Sequence, residues 1–329
     1  MQEKTIEKRR RVLICTTAFL PLIGGSEIAI DEITRRLPEI YFDIVTGMLE
    51  SGLPKFERSD NRRIHRVGGS LSKTGFILPK SFLPLVVFFK LVSLSRKNDY
   101  LAIHAFQASQ AAGGAWLYRL LNGLPFIVTV QEGKDLTAQK FLTKAFRYLI
   151  LGSAEFITVI SNYLAGYAQA INHRAEILEI PNGVDTDIFK PAERAQLRQQ
   201  LGWSATDRII ISVSRLVEKN GIADLIRAFS KLRHGQEAKL VLVGSGPLES
   251  DLRRLAHELG VIDSVRFIGS VPYEKVPQYL AASDIFVRPS RSEGLGTAFL
   301  EAMACGLPIV GTDVGGIPDF LEDGETGLF

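Results

Sequence analysis

Short apolar runs rich in β-branched residues alternate along the chain with longer stretches in which apolar residues recur at helical spacing. The short runs predict strands at 11–17, 41–47, 101–106, 125–131, 156–161, 175–183, 208–216, 238–246, 265–270, 284–290 and 307–313. The longer stretches predict helices at 26–37, 82–96, 107–122, 138–152, 161–171, 221–233, 248–259, 274–281 and 296–305. Apolar strands separated by helices are typical of parallel sheets with helices on both faces. The predicted fold class is therefore doubly wound α/β.

The length of 329 residues suits two domains of about 150 residues each. Pro181, Asn182 and Gly183 end the last strand of the first half, and a polar helix leads from Pro191 to the strand that begins at Arg208. We therefore predict domains at 1–190 and 191–329. Ligands of open α/β sheets bind beyond the carboxyl ends of the strands, so we expect the two domains to face one another across a shared cleft.

Residues 82–94 are apolar almost all round. Such a helix is usually buried between a sheet and its neighbours, which is our prediction; a helix at a membrane interface is the alternative. Lys80, Pro84 and Lys90 interrupt this region, so it lacks the roughly 18–20 continuous apolar residues of a membrane span.

Charge is distributed unevenly between the halves. Residues 1–190 carry 24 Lys and Arg against 18 Asp and Glu, a net +6, whereas 191–329 carry 15 against 18, a net −3, which together give the overall +3. An anionic partner, such as a phosphorylated acceptor or a lipid headgroup surface, would suit the first half, and so would a solvated charged face. The basic residues are scattered without interleaved aromatics, which argues against nucleic-acid binding.

The two cysteines and the N-terminus bear on the location of the protein. Cys15 and Cys305 stand alone in apolar runs, which indicates a reduced, cytoplasmic protein and no zinc site. The basic and then apolar segment at 8–25 resembles a signal peptide but lacks a small-residue cleavage site, and we interpret it as the first strand and its loop.

Candidate ligand-binding residues follow several predicted strands. Gly24 and Gly25 let a bound group approach the backbone, and Ser26 is predicted to cap the next helix, whose N-terminus favours an anion. A glycine at such a turn, Gly24 included, more often serves only the backbone geometry, so each of these residues alone is weak evidence of ligand binding.

In the second half, Arg215 and Lys219 follow the strand at 208–216 and would suit a diphosphate clamp. Gly244 lies at another tight turn between a strand and a helix. An isolated Arg or Lys is usually just a solvated side chain.

The stretch "SEGLGTAFLEAMACGLPIV" places Glu293 and Glu301 on either side of a helix start near Gly296 and Thr297. Exposed amides and the helix dipole would hold a phosphate there, while the two carboxylates would accept hydrogen bonds from hydroxyl groups. A ligand with both groups is a nucleotide sugar. The alternative is that Glu301 is a surface residue and Glu293 a helix cap.

Glu293, the seven residues after it and Glu301, followed by "AMACGLPIVGTDVGGIPDFLEDGETGLF", resemble the signature of family 4 glycosyltransferases, which are retaining enzymes of the GT-B fold. "PLIGGSE", "IPNGVDTDIF" and "VSRLVEKNGIADLIRAF" also resemble segments of that family in the expected order, so the likeness covers essentially the whole chain. The resemblance implies a hexosyltransferase-type enzyme that moves a sugar, with retention, from a donor such as a UDP- or GDP-sugar to a lipid-linked, polysaccharide or small-molecule acceptor.

The resemblance also implies roles for single residues. Glu301 would bind the ribose hydroxyls and Glu293 the transferred sugar. Arg215 and Lys219 would neutralise the diphosphate, so no metal or other cofactor is expected. From the first domain, Gly25 would approach the diphosphate. Ile268 and Val271, in the stretch "FIGSVPY", would line the pocket for the nucleotide base.

The sequence departs from the family pattern in the first domain. Where many members have a His-Gly stretch after the fourth inner strand, this chain has Gln131 and Glu132, which leaves Glu132 as the nearest ionisable candidate for acid or base catalysis. The frequent His-Ala-His reads His104, Ala105, Phe106, so His104 is the one imidazole kept there.

Further expectations concern the end of the chain and its setting. The family normally continues beyond "GETGLF", so the resemblance implies a truncated second domain. Synthesis of cell envelope polysaccharide or lipid-linked sugar, at the cytoplasmic face of the inner membrane, is the expected setting. The open alternatives are a noncatalytic protein that binds nucleotide sugars and a sugar-nucleotide epimerase of the GT-B fold.

Overall fold

The computed structural model describes residues 10–22, 24–68, 80–133, 136, 141–232 and 238–329, which form two compact units. The first comprises Met1–Glu132 and Leu136–Ile180, and the second Gly133–Asp135 and Pro181–Phe329. The division at Pro181 precedes the predicted boundary at 190, because Phe189 is fully buried in the core of the second unit.

The first unit contains an eight-stranded sheet with the strand order β3-β4-β2-β1-β5-β6-β7-β8. Its strands are β1 (Arg11–Thr16), β2 (Tyr41–Gly47), β3 (Phe56–Ser59), β4 (Arg62–Val67), β5 (Ala102–Phe106), β6 (Phe126–Val130), β7 (Phe156–Val159) and β8 (Glu176–Glu179). All neighbouring pairs are parallel except β3 and β4. The prediction of a purely parallel sheet is therefore wrong at this edge.

The sequence pattern missed strand β4 because four of its six residues are Arg or His, and Ile64 is the apolar residue buried among them. Asp43 of β2 is fully buried, and its carboxylate accepts hydrogen bonds from Arg63 Nε, His65 Nε2 and Tyr100 Oη, each at 2.8 Å. Although burial opposes ionisation, the hydrogen bonds from His65, Arg63 and Tyr100 lower the pKa of Asp43 to about 2. An ionic network thus takes the place of an apolar run between β2 and β4.

In the part of this unit that the structure describes, five α-helices cover the sheet: α1 (Gly25–Arg35), α2 (Leu83–Ser95), α3 (Gln110–Asn122), α4 (Phe141–Gly152) and α5 (Asn162–Ile171). The chain moves along the sheet in one direction through α1 and in the other through the remaining four, so right-handed crossovers place α1 on one face and α2–α5 on the other. Helices α2 to α5 pack side by side in chain order.

Helix α2 is a core helix on one side only. Leu83, Val87 and Leu91 are buried toward the sheet, whereas Leu85 and Phe89 on the opposite side are exposed, Phe89 by 65%. The prediction that this apolar helix is enclosed by its neighbours is therefore wrong for its outer side. No helix among the described residues is long and apolar enough to cross a membrane.

A pair of glycines on α3 sets how closely its neighbours approach. A Cβ atom on Gly114 would lie 2.5 Å from Pro84 O and 2.6 Å from Val87 Cβ of α2, and one on Gly113 would lie 2.3 Å from the Phe146 ring of α4. Helix α3 therefore accepts α2 on one side and α4 on the other only because both positions lack side chains.

The second unit contains a five-stranded parallel sheet with the order β11-β10-β9-β12-β13. Its strands are β9 (Arg208–Val213), β10 (Ala238–Val243), β11 (Val265–Gly269), β12 (Ile285–Val287) and β13 (Ile309–Val310). Its helices are α6 (Arg194–Gln200), α7 (Ile222–Leu232), α8 (Glu249–Glu258), α9 (Val276–Ala281) and α10 (Thr297–Ala304). Apolar clusters lie on both faces of the sheet, as the unbroken apolar strands predicted.

We expect Gly114→Ala to lower the stability of the first unit by about 1–3 kcal/mol, because the added methyl group must displace the backbone of α2. Differential scanning calorimetry of the whole chain would measure the change. Gly166→Ala in α5 is the matched control, since a Cβ there meets nothing within 4 Å. That variant should be neutral or up to about 1 kcal/mol more stable. Equal stability of the two variants would contradict the packing described for α3.

Candidate functional site

Glu293 lies in the loop that follows β12, and its carboxylate contacts two cations. Arg288 donates through its NH2 group to Glu293 Oε2 at 2.7 Å, and Lys219 Nζ lies 3.4 Å from both carboxylate oxygens. The backbone N–H of Gly294 also donates to Oε1, at 3.2 Å. The side chain of Lys219 is 33% exposed, whereas that of Arg288 is 6% exposed. Lys219 is therefore the cation of the pair that a ligand can reach.

Sequence reasoning missed Arg288, although a charged residue at the carboxyl end of a buried strand was a usable signal. Besides Glu293, its guanidinium bonds Ser290 Oγ at 3.1 Å and the carbonyl of Val213 at 3.4 Å, and it lies 4.6 Å from the ring centroid of Phe299. Several hydrogen bonds are what a buried guanidinium needs to be tolerated. Arg288 thus fixes one oxygen of Glu293 and leaves the outer side of the carboxylate to Lys219.

Two glycines allow the chain to close around Glu293. Gly296 precedes α10 with φ +92°, and a Cβ on it would lie 2.8 Å from the Phe299 side chain and 3.1 Å from Arg288 NH2. Gly315 has φ +60°, and a Cβ on it would lie 1.8 Å from the carbonyl oxygen of Glu293. Other residues are disfavoured at both positions on backbone and packing grounds.

The loop after β9 carries Arg215 and Lys219 and is fixed by its neighbours. Asn220 is buried, and its side-chain amide donates to Arg215 O at 2.7 Å. A Cβ on Gly244 would lie 2.0 Å from Ser214 O, and Gly244 itself has φ +127°. Gly244 therefore brings the loop after β10 against the loop that bears Arg215, which is a structural reason for glycine at a position predicted to contact the ligand.

The side chain of Arg215 is exposed beside this loop, and its charge lowers the pKa of Lys219. The largest effect on Lys219 is burial, which lowers its pKa, and Glu293 opposes that shift. Arg288 lowers the pKa further. The cations thus outnumber the carboxylate, so the site has an excess of positive charge that suits an anionic ligand.

Glu301 is buried one turn inside α10, as its spacing from Thr297 predicted, and accepts a hydrogen bond from Tyr273 Oη at 3.1 Å. Burial raises the pKa of Glu301 to about 7, although Tyr273 and Arg288 both oppose the shift. Ile268 and Val271, predicted to line the base, pack against the same apolar cluster as Tyr273. The interpretation of Glu301 as a surface residue is therefore wrong.

In the first unit, the helix start differs from the prediction. Gly24 is the N-cap of α1 and Gly25 its first residue, so Ser26 lies inside the helix and does not cap it. The Ser26 hydroxyl instead accepts a hydrogen bond from Gln107 Nε2 at 3.3 Å. The prediction of a Ser26 cap is wrong, because two glycines without side chains let the helix begin earlier.

Glu132 lies at the carboxyl end of β6, and the surrounding groups occupy its carboxylate. Ala108 N donates to Oε1 at 2.9 Å, Gln131 N donates to Oε2 at 3.0 Å, and Arg147 NH2 lies 3.2 Å from Oε1. These contacts tie the loop after β5 to β6 and α4. Acid or base catalysis by Glu132 stays a prediction, and it would require the carboxylate to leave these partners.

His104 lies in the middle of β5 and not at its carboxyl end. Its Nε2 atom is 2.6 Å from Thr129 Oγ1, which is 2.6 Å from Thr158 Oγ1, and its ring stacks 4.4 Å from that of Phe106. Burial lowers the pKa of His104 to about 4, so the imidazole is neutral at neutral pH. Within the part of the chain that the structure describes, no hydrogen bond or ion pair joins His104 to Glu132. The catalytic role of His104 also stays a prediction.

Sequence families match both parts of the chain. The family described as Glycosyl transferases group 1 matches residues 193–329, and Glycosyltransferase Family 4 matches residues 23–188. The chain belongs to glycosyltransferase family 4. The regions matched contain Glu293 and its two cations in one case and the start of α1 in the other.

Named relatives of this glycosyltransferase differ in how much of it they resemble. N-acetyl-alpha-D-glucosaminyl L-malate synthase of Bacillus anthracis is 30% identical over 315 residues, which cover 93% of this chain and 80% of that protein. A GDP-mannose-dependent alpha-(1-6)-phosphatidylinositol monomannoside mannosyltransferase of Mycolicibacterium smegmatis is 38% identical over 184 residues, which cover 53% of this chain and 48% of that protein.

Among solved structures, sucrose-phosphate synthase of Thermosynechococcus elongatus superposes on this glycosyltransferase with a TM-score of 0.84. The two are 22% identical, and the match covers 97% of this chain and 85% of that one. At this identity the likeness concerns the fold, and it confirms the predicted pair of Rossmann-like α/β domains of the GT-B type.

We expect Glu301→Gln to change how the stability of the second unit depends on pH. The folded pKa of Glu301, about 7, lies above the ordinary value of 4.5, so its stabilising contribution is complete below 4.5 and is lost as pH rises to about 7. Glutamine stays neutral and escapes that loss. As the pH rises from 4.5 to about 7, the parent should therefore lose stability relative to Glu301→Gln, by on the order of 1–3 kcal/mol in the free energy of unfolding.

Urea unfolding followed by fluorescence of Trp203, in a Trp116→Phe background, would measure this difference in the second unit. Tyr273→Phe is the companion variant: it removes the hydrogen bond that lowers the pKa of Glu301, so the loss should extend to higher pH. A difference between Glu301→Gln and the parent that does not vary with pH would contradict the assignment.

Proposed function

We propose that this protein transfers a sugar from a nucleotide-sugar donor to an acceptor, with retention of configuration and without a metal ion. The observation that carries the proposal is the carboxylate of Glu293, held by Arg288 beside the accessible amine of Lys219. One group that accepts hydrogen bonds from sugar hydroxyls and one that attracts phosphate lie within 3.4 Å of each other. In a nucleotide sugar, the bond at the anomeric carbon joins a sugar, which carries hydroxyl groups, to a diphosphate.

Lys219 and Arg215 would bind the diphosphate. In the free protein, burial and the charges of Arg288 and Arg215 lower the pKa of Lys219. The negative charge of a bound diphosphate would raise that pKa and so favour the protonated amine. The same cations would stabilise the charge that develops on the leaving diphosphate, which is the task a divalent metal performs elsewhere.

Glu293 would orient the transferred sugar. Because Arg288 and Gly294 N each bind one of its oxygens, the carboxylate keeps its orientation and its remaining lone pairs can accept sugar hydroxyl groups. In transfer with retention, an oxygen of the donor phosphate would accept the proton of the acceptor hydroxyl. The reaction then requires no additional protein base, which agrees with the bound state of Glu132.

Glu301 would bind the ribose. Its carboxylate is buried beside Tyr273, and a ribose diol would donate hydrogen bonds to it in the ionised form. Ile268 and Val271, packed against the same cluster, would supply the apolar contact for the base.

The acceptor is proposed by chemical class. The names of the relatives include L-malate and a phosphatidylinositol mannoside as acceptors. We propose a small-molecule, carbohydrate or lipid-linked acceptor, in the cytoplasm and with peripheral attachment to the inner membrane surface. The net +6 charge of residues 1–190 supports that setting.

Nucleotide binding can be tested by thermal shift with UDP, GDP, ADP and their sugars, each with magnesium or with EDTA. We expect one nucleotide to raise the unfolding temperature equally in both conditions, since cations of the protein bind the phosphates. Lys219→Ala and Arg215→Ala should each weaken binding about tenfold, because each removes a charge from the phosphate site. Lys231→Ala, an exposed lysine on α7, is the control. The absence of any nucleotide shift would overturn the proposal.

Glu293→Gln should lower turnover more than donor binding. The amide retains the shape but loses the charge, and Arg288 is left without its carboxylate partner. We expect kcat to fall by at least about 100-fold while the nucleotide Kd changes by less than about fivefold. Product analysis with the donor identified by thermal shift would measure both, and NMR of the new anomeric bond would test retention. Turnover equal to that of the parent would remove Glu293 from the mechanism.

A further inference from the structure

The side chain of Lys219 contacts its carboxylate partner only at long range. Lys219 Nζ lies 3.4 Å from both oxygens of Glu293. This is beyond the roughly 2.7–3.2 Å that is usual for an N–H···O hydrogen bond. A lysine side chain is also long and flexible. Where its amine lies therefore depends on the backbone that carries it, a short 3₁₀ turn at Glu218–Asn220 between β9 and α7.

The loop after β12 packs directly against that turn. The backbone N–H of Arg291 donates to the carbonyl oxygen of Lys219 at 2.7 Å. Two residues beyond Lys219, Gly221 has φ +67°, and a Cβ on it would lie 1.8 Å from the carbonyl oxygen of Pro289. The close approach excludes a side chain at that position. The loop that carries Glu293 and the turn that carries Lys219 are thus in contact at two points.

The side chain of Arg291 adds contacts on both sides of Lys219. Its Nε and NH2 atoms donate to Oδ2 of Asp224, at 3.1 and 2.8 Å, and its NH1 atom pairs with Glu218. Glu218 directly precedes Lys219, and Asp224 lies in the first turn of α7. One guanidinium thus joins the residue before Lys219 to the helix that follows it.

These ion pairs are exposed, so they should contribute little to the stability of the fold. The side chain of Arg291 is 48% exposed and that of Glu218 71%, and exposed pairs add little to the free energy of unfolding. A single hydrogen bond to the carbonyl of Lys219 would still let the turn rotate about it. A guanidinium bound to two carboxylates restricts that rotation, because its donors have a fixed geometry.

We propose that Arg291 is a positioning residue for donor binding: it holds the turn at Glu218–Asn220 so that the amine of Lys219 meets the diphosphate. The proposal deepens the phosphate-binding role given to Lys219 above, and it rests on that part of the proposed function. The guanidinium of Arg291 already engages two carboxylates of the protein, so its effect on the ligand is indirect. Loss of Arg291 should therefore act through Lys219.

The first test is a double-mutant cycle on nucleotide affinity. Isothermal titration calorimetry of the whole chain would use whichever of UDP, GDP and ADP binds the parent. Arg291→Ala should weaken binding about five- to tenfold in the parent but less than about twofold in a Lys219→Ala background, because the amine that Arg291 positions is then absent. A direct contact of Arg291 with the phosphates, or a long-range effect of its charge, would instead give the same factor in both backgrounds.

The second test uses the sign of an effect. Asp224→Ala removes a negative charge near the proposed phosphate site, so charge alone would strengthen nucleotide binding. The same change releases Arg291 from α7, and we therefore expect binding to weaken about threefold. Asp251→Ala is the matched control, since Asp251 lies in the first turn of α8 and pairs with Arg254 at 2.7 Å. That variant should bind nucleotide as the parent does.

The variants at Arg291 and Asp224 change exposed side chains, so they should remain folded, which their unfolding temperatures without nucleotide would check. Arg254→Ala, at an exposed arginine of α8, is the control for Arg291→Ala. Unchanged affinity in Arg291→Ala, an equal factor in both backgrounds, or tighter binding by Asp224→Ala would each overturn the proposal. A parent that binds none of the three nucleotides would overturn the proposed function itself, which distinguishes that failure from a failure of the role of Arg291.

Discussion

The ion pair between Arg288 and Glu293 is the constraint on which the rest of the second unit's site depends. A carboxylate and a guanidinium that are both largely buried must satisfy one another, because burial of either charge alone is costly. This pair fixes the loop after β12, and the loop in turn requires glycine at 296 and 315. Lys219 then completes the site from the neighbouring loop without having to hold Glu293 in place.

The sequence predicted the parts of the fold that depend on apolar periodicity. Strands β2 and β9 were readable because their residues are buried on both faces, and Glu301 was readable from its distance to a helix start. Strand β4 was not, because Arg63 and His65 on it form an ionic network with Asp43, and no apolar pattern signals a network of that kind.

The charged residues in the loops after the strands were predictable from the sequence, whereas the contacts that hold them in position were not. Glu293, Arg215 and Lys219 follow strands and carry charge, so position and chemistry together singled them out. Arg288 also carries charge at a strand end, which was a usable signal, but its position alone does not reveal that its side chain folds back onto Glu293. Gly244 was interpreted as a ligand contact, whereas the structure gives it a second reason to be glycine, since Ser214 occupies the space of a side chain.

The glycine pair at 113 and 114 has a mechanical consequence for the first unit. Contacts that leave no room for a methyl group make α2, α3 and α4 a single slab, with axes of adjacent helices about 8–10 Å apart. A displacement of α2 is therefore passed through α3 to α4, because close-packed contacts transmit strain.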